Sequence, residues 1–208
     1  MADGNSVLAD GYGGVPAGKL ASVVTCLEMT ARPELRSQRV DAPWTLRHMP
    51  NPDTGWYREL FSRIGTDWLW FSRLRMPPAA LKTILGSPDV EIYSLVVDGR
   101  DEGLLELDFR EAGVCELAFF GVTHAVQGAG AGRFLMNRAI EHAWRRPIAR
   151  FWVHTCTLDH PKALAFYLRS GFRAYARCVE IADDPRVTGL LPRGAAPHIP
   201  IIEAPKSR

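Results

Sequence analysis

Glu116-Leu-Ala-Phe-Phe-Gly-Val122-Thr-His-Ala-Val-Gln127-Gly-Ala-Gly130-Ala-Gly132-Arg-Phe-Leu-Met136 is the informative stretch of this 208-residue chain. The apolar run to Val122 predicts a buried strand. A loop of small residues follows and opens an amphipathic helix from about Gly130 to Trp144, with Phe134, Leu135, Ile140 and Trp144 on its apolar side. A helix N-terminus presents unsatisfied N–H groups and the positive end of the helix dipole. Glycines let a phosphate approach those groups closely, so the loop can cradle a pyrophosphate. Glycines before a helix also mark ordinary tight connections, and the loop alone leaves both readings open.

Two nucleotide-binding patterns fail here. A P-loop needs GxxxxGK[ST], whereas Arg133 follows Gly132 with no Lys-Ser/Thr. A GxGxxG fingerprint started at Gly128 or at Gly130 reaches Arg133 or Leu135 at its third glycine position.

Outward from the loop, Val90 to Val97 and Leu105 to Phe109 read as strands joined by an Asp98-Gly99 hairpin turn. The Leu-Glu-Leu-Asp-Phe alternation of the second predicts a half-buried strand. Upstream, Val23 to Thr30 is a strand and residues 31 to 53 read as loop. Asp53 or Thr54 caps a helix over Trp56, Leu60, Phe61 and Ile64. Thr66 to Arg75 fits either period, and Pro77-Pro78 opens a short helix closed by Gly86. Downstream come a strand over Phe151 to Thr157, a helix over Pro161 to Ser170 and a strand over Phe172 to Ile181. This order predicts an α+β or mixed-sheet domain. The expected organisation is an N-terminal tail over 1–18, one domain over 19–182 and a proline-rich C-terminal tail over 183–208, extended and free to drape over the body or a partner.

Composition narrows the function classes. A formal charge of +2 gives no reason to expect nucleic acid as a partner. No apolar run is long enough for a bilayer, and the first ten residues lack the basic start of a signal peptide. The four cysteines, Cys26, Cys115, Cys156 and Cys178, form no CxxC pair, which argues against zinc and a disulfide framework. The expected setting is a reducing cytoplasm, with neither membrane nor metal.

Gln127-x-x-Gly130-x-Gly132 resembles the (Arg/Gln)-x-x-Gly-x-(Gly/Ala) signature of the GNAT superfamily of acyl-CoA-dependent N-acyltransferases. A second segment, Asp159-His160-Pro-Lys-Ala163-Leu-Ala-Phe-Tyr167-Leu-Arg-Ser-Gly171-Phe172, is similar to that family's Asn-x-x-Ala-x-x-x-Tyr-x-x-x-Gly-Phe ending, with His160 where asparagine is usual. The resemblance runs from about Val90 to Ile181 and implies a mixed central sheet, flanked by helices and splayed at a CoA cleft.

It further implies acetyl-CoA as co-substrate, an amine acceptor and no metal. Backbone groups of Phe120 and Val122 would contact the pantetheine arm. The N–H groups of Gln127, Gly128, Ala129, Gly130, Ala131 and Gly132 would hold the pyrophosphate, with Arg133 adding charge. Tyr167 matches the family's catalytic tyrosine and would protonate the leaving thiolate; its plainer reading is a tyrosine that anchors a helix. Glu116 stands where some GNAT enzymes place a general base, with ordered water as the alternative. By alternation it would share a face with Ala118, Phe120 and Val122. His124, His154 and His160 are further candidates: alternation makes His154 a core residue, and His160 would cap its helix or touch the CoA arm.

The acceptor site would come from about Trp56 to Arg75 and the last strands, where Arg58, Arg63, Arg73 and Arg75 suit an acidic acceptor. The acceptor is a small molecule or a peptide. Acetyl is the default acyl group, and succinyl or longer chains remain open. Dimers are common among GNAT proteins, which admits a homodimer here. The rival class is a non-catalytic acyl-CoA-binding regulatory module.

Overall fold

The computed structural model describes residues 8–39 and 41–203. The first residues of the N-terminal stretch and the last of the C-terminal one lie outside the described residues. Among the described residues, seven strands form one sheet: β1 (Lys19–Met29), β2 (Trp44–His48), β3 (Val90–Val97), β4 (Arg100–Asp108), β5 (Val114–Val122), β6 (Arg150–Cys156) and β7 (Arg173–Asp183). Among the same residues five α-helices accompany them: α1 (Thr54–Gly65), α2 (Ser72–Arg75), α3 (Pro78–Leu85), α4 (Ala131–Ala143) and α5 (Ala163–Arg169). The strand order is β2-β3-β4-β5-β6-β1-β7. Only β5 and β6 run parallel; the other neighbours are antiparallel.

Local chemistry accounts for most boundaries. Asp53 caps α1, accepting from the N–H of Gly55 at 2.8 Å and of Trp56 at 3.0 Å. Tyr57, Leu60, Phe61 and Ile64 then form its buried stripe. Asp98 and Gly99 both have positive φ, 49° and 79°, as a two-residue β3–β4 hairpin of the right twist requires.

Two readings need correction, and one left open is resolved. Residues 31–53 are not all loop, because β2 adds to the sheet edge by pairing with β3 from Trp44↔Val97 to His48↔Tyr93. The ambiguous Thr66–Arg75 stretch is a 3₁₀ turn over Thr66–Trp68 followed by α2, joined through Leu69 at φ 53°. β4 is buried on both faces rather than half-buried, since helices cover both sides of the sheet and leave Glu106 and Asp108 inside.

One core joins Leu105, Leu107 and Leu117 to Leu135, Met136 and Ile140 of α4 and Tyr167 of α5. A second joins Ile92 and Leu104 to α1 and α3 on the opposite face. A third joins Leu20 and Leu69 to Leu191, Ala195 and Ala196, so that part of the proline-rich segment is packed on the body. Arg186 holds that segment. It is almost fully buried, bonds both carboxylate oxygens of Asp184 at 3.0 and 2.8 Å, and donates to the carbonyls of Ala195, Ala196 and Ile199. Among the described residues no helix is long and apolar enough to cross a membrane. Nor do any three His, Cys, Asp or Glu side chains among them group to hold a metal ion.

Candidate active site

β5 and β6 pair only at their starts, through Val114↔Arg150, Cys115↔Phe151 and Glu116↔Trp152. Beyond Glu116 the two strands part, while β4 stays paired with β5 as far as Val122. The second edge of β5 therefore has no neighbouring strand, and its backbone groups need partners from elsewhere. The gap opens into a cleft of about 1090 Å³, lined by both predicted motifs.

A bulge sets which β5 side chains enter this cleft from which side. Leu117 pairs with Leu107 and Phe119 with Glu106, which leaves Ala118 as an extra residue. The expected common face of Glu116, Ala118, Phe120 and Val122 is thereby broken. Glu116, opposite Asp108, lies on the face of Glu106 and Phe119, towards α1. Phe120 and Val122 turn to the other face, where the Phe120 ring meets Phe166 at 5.7 Å and Tyr167 at 6.2 Å.

At one end of the cleft lies the glycine loop. Gly130 caps α4 at φ 101° with no side-chain cap, and Gly128 sits at φ 77°. The amides of residues 128–132 donate to no acceptor among the described residues, whereas Arg133 and Phe134 already bond the Gly130 carbonyl. The Gln127 amide is used on His124, and its side chain lies 3.5 Å from the Val122 carbonyl. The Arg133 guanidinium lies over the Phe166 ring at 4.8 Å.

The other end is acidic. Burial, then the neighbouring Asp108 and Glu106, push the Glu116 carboxyl up to about 7, against the pull of Arg73 and Arg110. His154 is not a core residue. Its strand face looks into the cleft, with Nδ1 3.7 Å from Glu116 Oε1. Desolvation lowers the His154 pKa, although Asp159 and Glu180 oppose it. Tyr167 is buried among Phe120, Phe166 and Phe172, and its hydroxyl bonds no described residue. Burial, reinforced by Asp159, drives its pKa far above the usual tyrosine value.

The family profile for the acetyltransferase (GNAT) family matches residues 58–172, more than half of the chain. The chain belongs to the GNAT acetyltransferase family. No curated protein matches the sequence. Among solved structures, a GCN5-related N-acetyltransferase from Sphaerobacter thermophilus aligns with a TM-score of 0.56 at 14% identity, covering 78% of this chain and 52% of that one. A functionally unknown conserved protein from Staphylococcus epidermidis gives 0.53 at 13% identity, over 80% and 64%. A GCN5-related N-acetyltransferase from Kribbella flavida gives 0.50 at 17%, over 81% and 60%. The chain spans between about half and two thirds of the length of these structures. The likeness shows a shared fold, and acyl transfer is the chemistry of the family.

In this GNAT protein the two motifs meet in one cleft, which Glu116, Phe120, Val122, Gln127, Gly128, Gly130, Gly132, Arg133, His160 and Tyr167 all line. Ala129 and Ala131 belong to the same loop without lining the cleft. The His160 Nδ1 accepts the Lys162 N–H at 3.0 Å, and its ring meets Trp68 at 4.9 Å. His124 is elsewhere, paired with Asp67 at 2.8 Å.

Of the predicted acceptor region, Trp68, Trp70, Phe71 and Arg73 line the cleft, whereas Trp56, Tyr57 and Phe61 do not. Its arginines are already engaged: Arg58 on the Met76 carbonyl, Arg63 on Glu59, Arg73 on Glu106 and Arg75 over Phe71. Of the four, Arg63 and Arg73 pair with carboxylates, and Arg73 alone lines the cleft. Sequence reasoning missed the buried triad in which Glu106 accepts from both Tyr57 and Arg73. It also missed Asp159, which accepts from Trp70 Nε1 at 3.2 Å, Thr155 at 2.7 Å and the Cys156 N–H at 2.9 Å. Asp159 thus ties the end of β6 to the aromatic wall.

Proposed function

We propose that this GNAT protein is an N-acetyltransferase that moves an acetyl group from acetyl-CoA to a primary amine by direct attack. One observation carries the reading: a single cleft joins a row of free amides to a carboxyl poised near neutrality and a tyrosine that keeps its proton. Acetyl-CoA supplies an activated thioester. The free edge of β5, through backbone groups of Phe120 and Val122, suits an extended pantetheine arm bound in the manner of an added strand. The free amides of residues 128–132 suit the pyrophosphate, whereas the Gln127 amide, already bonded to the His124 carbonyl, is not among them.

The remaining steps belong to the side chains. An aliphatic amine arrives as an ammonium, with a pKa of about 10. Glu116, directly or through a water, takes its proton. The amine nitrogen then forms a bond to the thioester carbonyl carbon, and the carbon–sulfur bond breaks as the tetrahedral adduct collapses. Tyr167 gives its proton to the departing sulfur, the adduct nitrogen sheds its second proton to restore Tyr167, and Glu116 discharges to solvent, so one proton is released overall and the protein holds none. The acidic lining favours an ammonium over a carboxylate. Glu180 meets no cationic partner among the described residues, and Arg110 is held by Asp108.

The test is calorimetric titration with acetyl-CoA beside ATP and NAD, followed by thiol release on a panel of primary amines. Selective acetyl-CoA binding with amine-dependent thiol release is expected. Absence of acetyl-CoA binding overturns the reading; binding without turnover on any amine leaves the regulatory module instead.

A further inference from the structure

Beside the glycine loop the cleft carries more positive charge than a cradle of amides needs. Arg36, Arg133 and Arg169 all line this mouth. They come from the segment before β2, the first turn of α4 and the end of α5, and no carboxylate among the described residues pairs with any of them. Arg36 Nη1 donates to the Arg169 backbone carbonyl at 3.1 Å, which sets its guanidinium against the end of α5. Arg133 Nη1 is buried without a hydrogen-bond partner. Burial, then Arg36 and Arg169, lower the Arg133 pKa, so the like charges oppose one another. An orphaned guanidinium nitrogen and mutual repulsion are both costly, and a resident anion relieves both.

We infer that Arg36, Arg133 and Arg169 bind a third phosphate, the 3′-phosphate on the donor's ribose, and so distinguish CoA from 3′-dephospho-CoA. This rests on the acyl-CoA reading above. The amides of residues 128–132 serve a pyrophosphate that both donors share. Guanidinium forks suit a terminal phosphate monoester, which offers several oxygens to bidentate donors. Arg36 lies outside the residues matched by the family profile.

The experiment is calorimetric titration of the full chain with CoA and with 3′-dephospho-CoA, at low and at raised salt. CoA should bind at least about tenfold more tightly, as one or two charge-assisted hydrogen bonds imply. Arg36→Gln and Arg169→Gln should each move that ratio towards one. The Arg169 side chain makes no described hydrogen bond, so Arg169→Gln should keep the thermal unfolding midpoint and act as the cleaner variant. Equal binding of the two ligands by the unaltered protein overturns the inference. So does a variant that weakens both in the same proportion, because the arginines would then serve the shared pyrophosphate. Binding of neither ligand overturns the acyl-CoA reading itself, and this inference with it.

Discussion

The two ends of the cleft differ in material as well as in charge. Around residues 128–132 the working groups are backbone amides, positioned by glycines at positive φ, with Arg36, Arg133 and Arg169 beside them. Around Glu116 they are side chains: His154, Asp159 and Glu180 near the surface, and Glu106 and Arg73 behind them. Backbone donors hold one ligand in one geometry and tolerate little change. Side chains on strand faces can be exchanged singly, so substitutions at this end redirect the protein towards another acceptor without disturbing the donor end.

That contrast can be broken in several ways, taken here from the largest expected effect. Tyr167→Phe should reduce turnover about 10²–10⁴-fold while acetyl-CoA affinity, read by calorimetry, stays within about twofold. Glu116→Gln should lower kcat/KM about 10²-fold and abolish its rise with pH through about 7. The stability sign is opposite. The folded protein holds the Glu116 proton more tightly than the unfolded chain, so this group's contribution is present below its ordinary value of 4.5 and is lost as pH rises through about 7. Thermal unfolding at pH 8 should therefore show Glu116→Gln as more stable than the parent, a difference that vanishes at acid pH.

Gly130→Ala should act on the donor end alone. A Cβ there would sit 3.2 Å from the Trp44 ring at a φ of 101°. Strain of about 1–2 kcal/mol translates to roughly a tenfold loss of acetyl-CoA affinity. The smallest change is Glu180→Gln, expected to raise the KM of a cationic acceptor about two- to fivefold at low salt and not at high salt. If Glu180→Gln weakened acetyl-CoA binding instead, the division of the cleft would fail.

The donor end was legible because its signals are local. The Asp98-Gly99 turn, the apolar run to Val122 and the glycines before α4 each dictate their own geometry. The acidic end depends on contacts that no local pattern carries. Arg73 and Glu106 are 33 residues apart, and Tyr57 and Glu106 are 49 apart. β2 exists because β3 offers it an edge, and nothing between Ala31 and Asp53 announces that. His154 illustrates a subtler miss. Alternation along β6 correctly placed it with Trp152 and Cys156, but the splay turned that face into a cleft wall rather than a core. The burial of Arg186 was equally invisible, since Asp184 and Arg186 read as ordinary charges until Leu191, Ala195 and Ala196 cover them.

The extra residue in β5 also bears on how such a chain can change over generations. Loss of Ala118 alone would restore a period of two and leave Leu117 opposite Leu107 and Phe119 opposite Glu106. Phe119 and Phe120 would keep their sides, each ring still against its own helix layer, and Glu116 would stay on the Phe119 face. The bulge therefore gives this strand slack: a one-codon deletion at Ala118 removes the local kink without exchanging the faces, whereas a further deletion would exchange them.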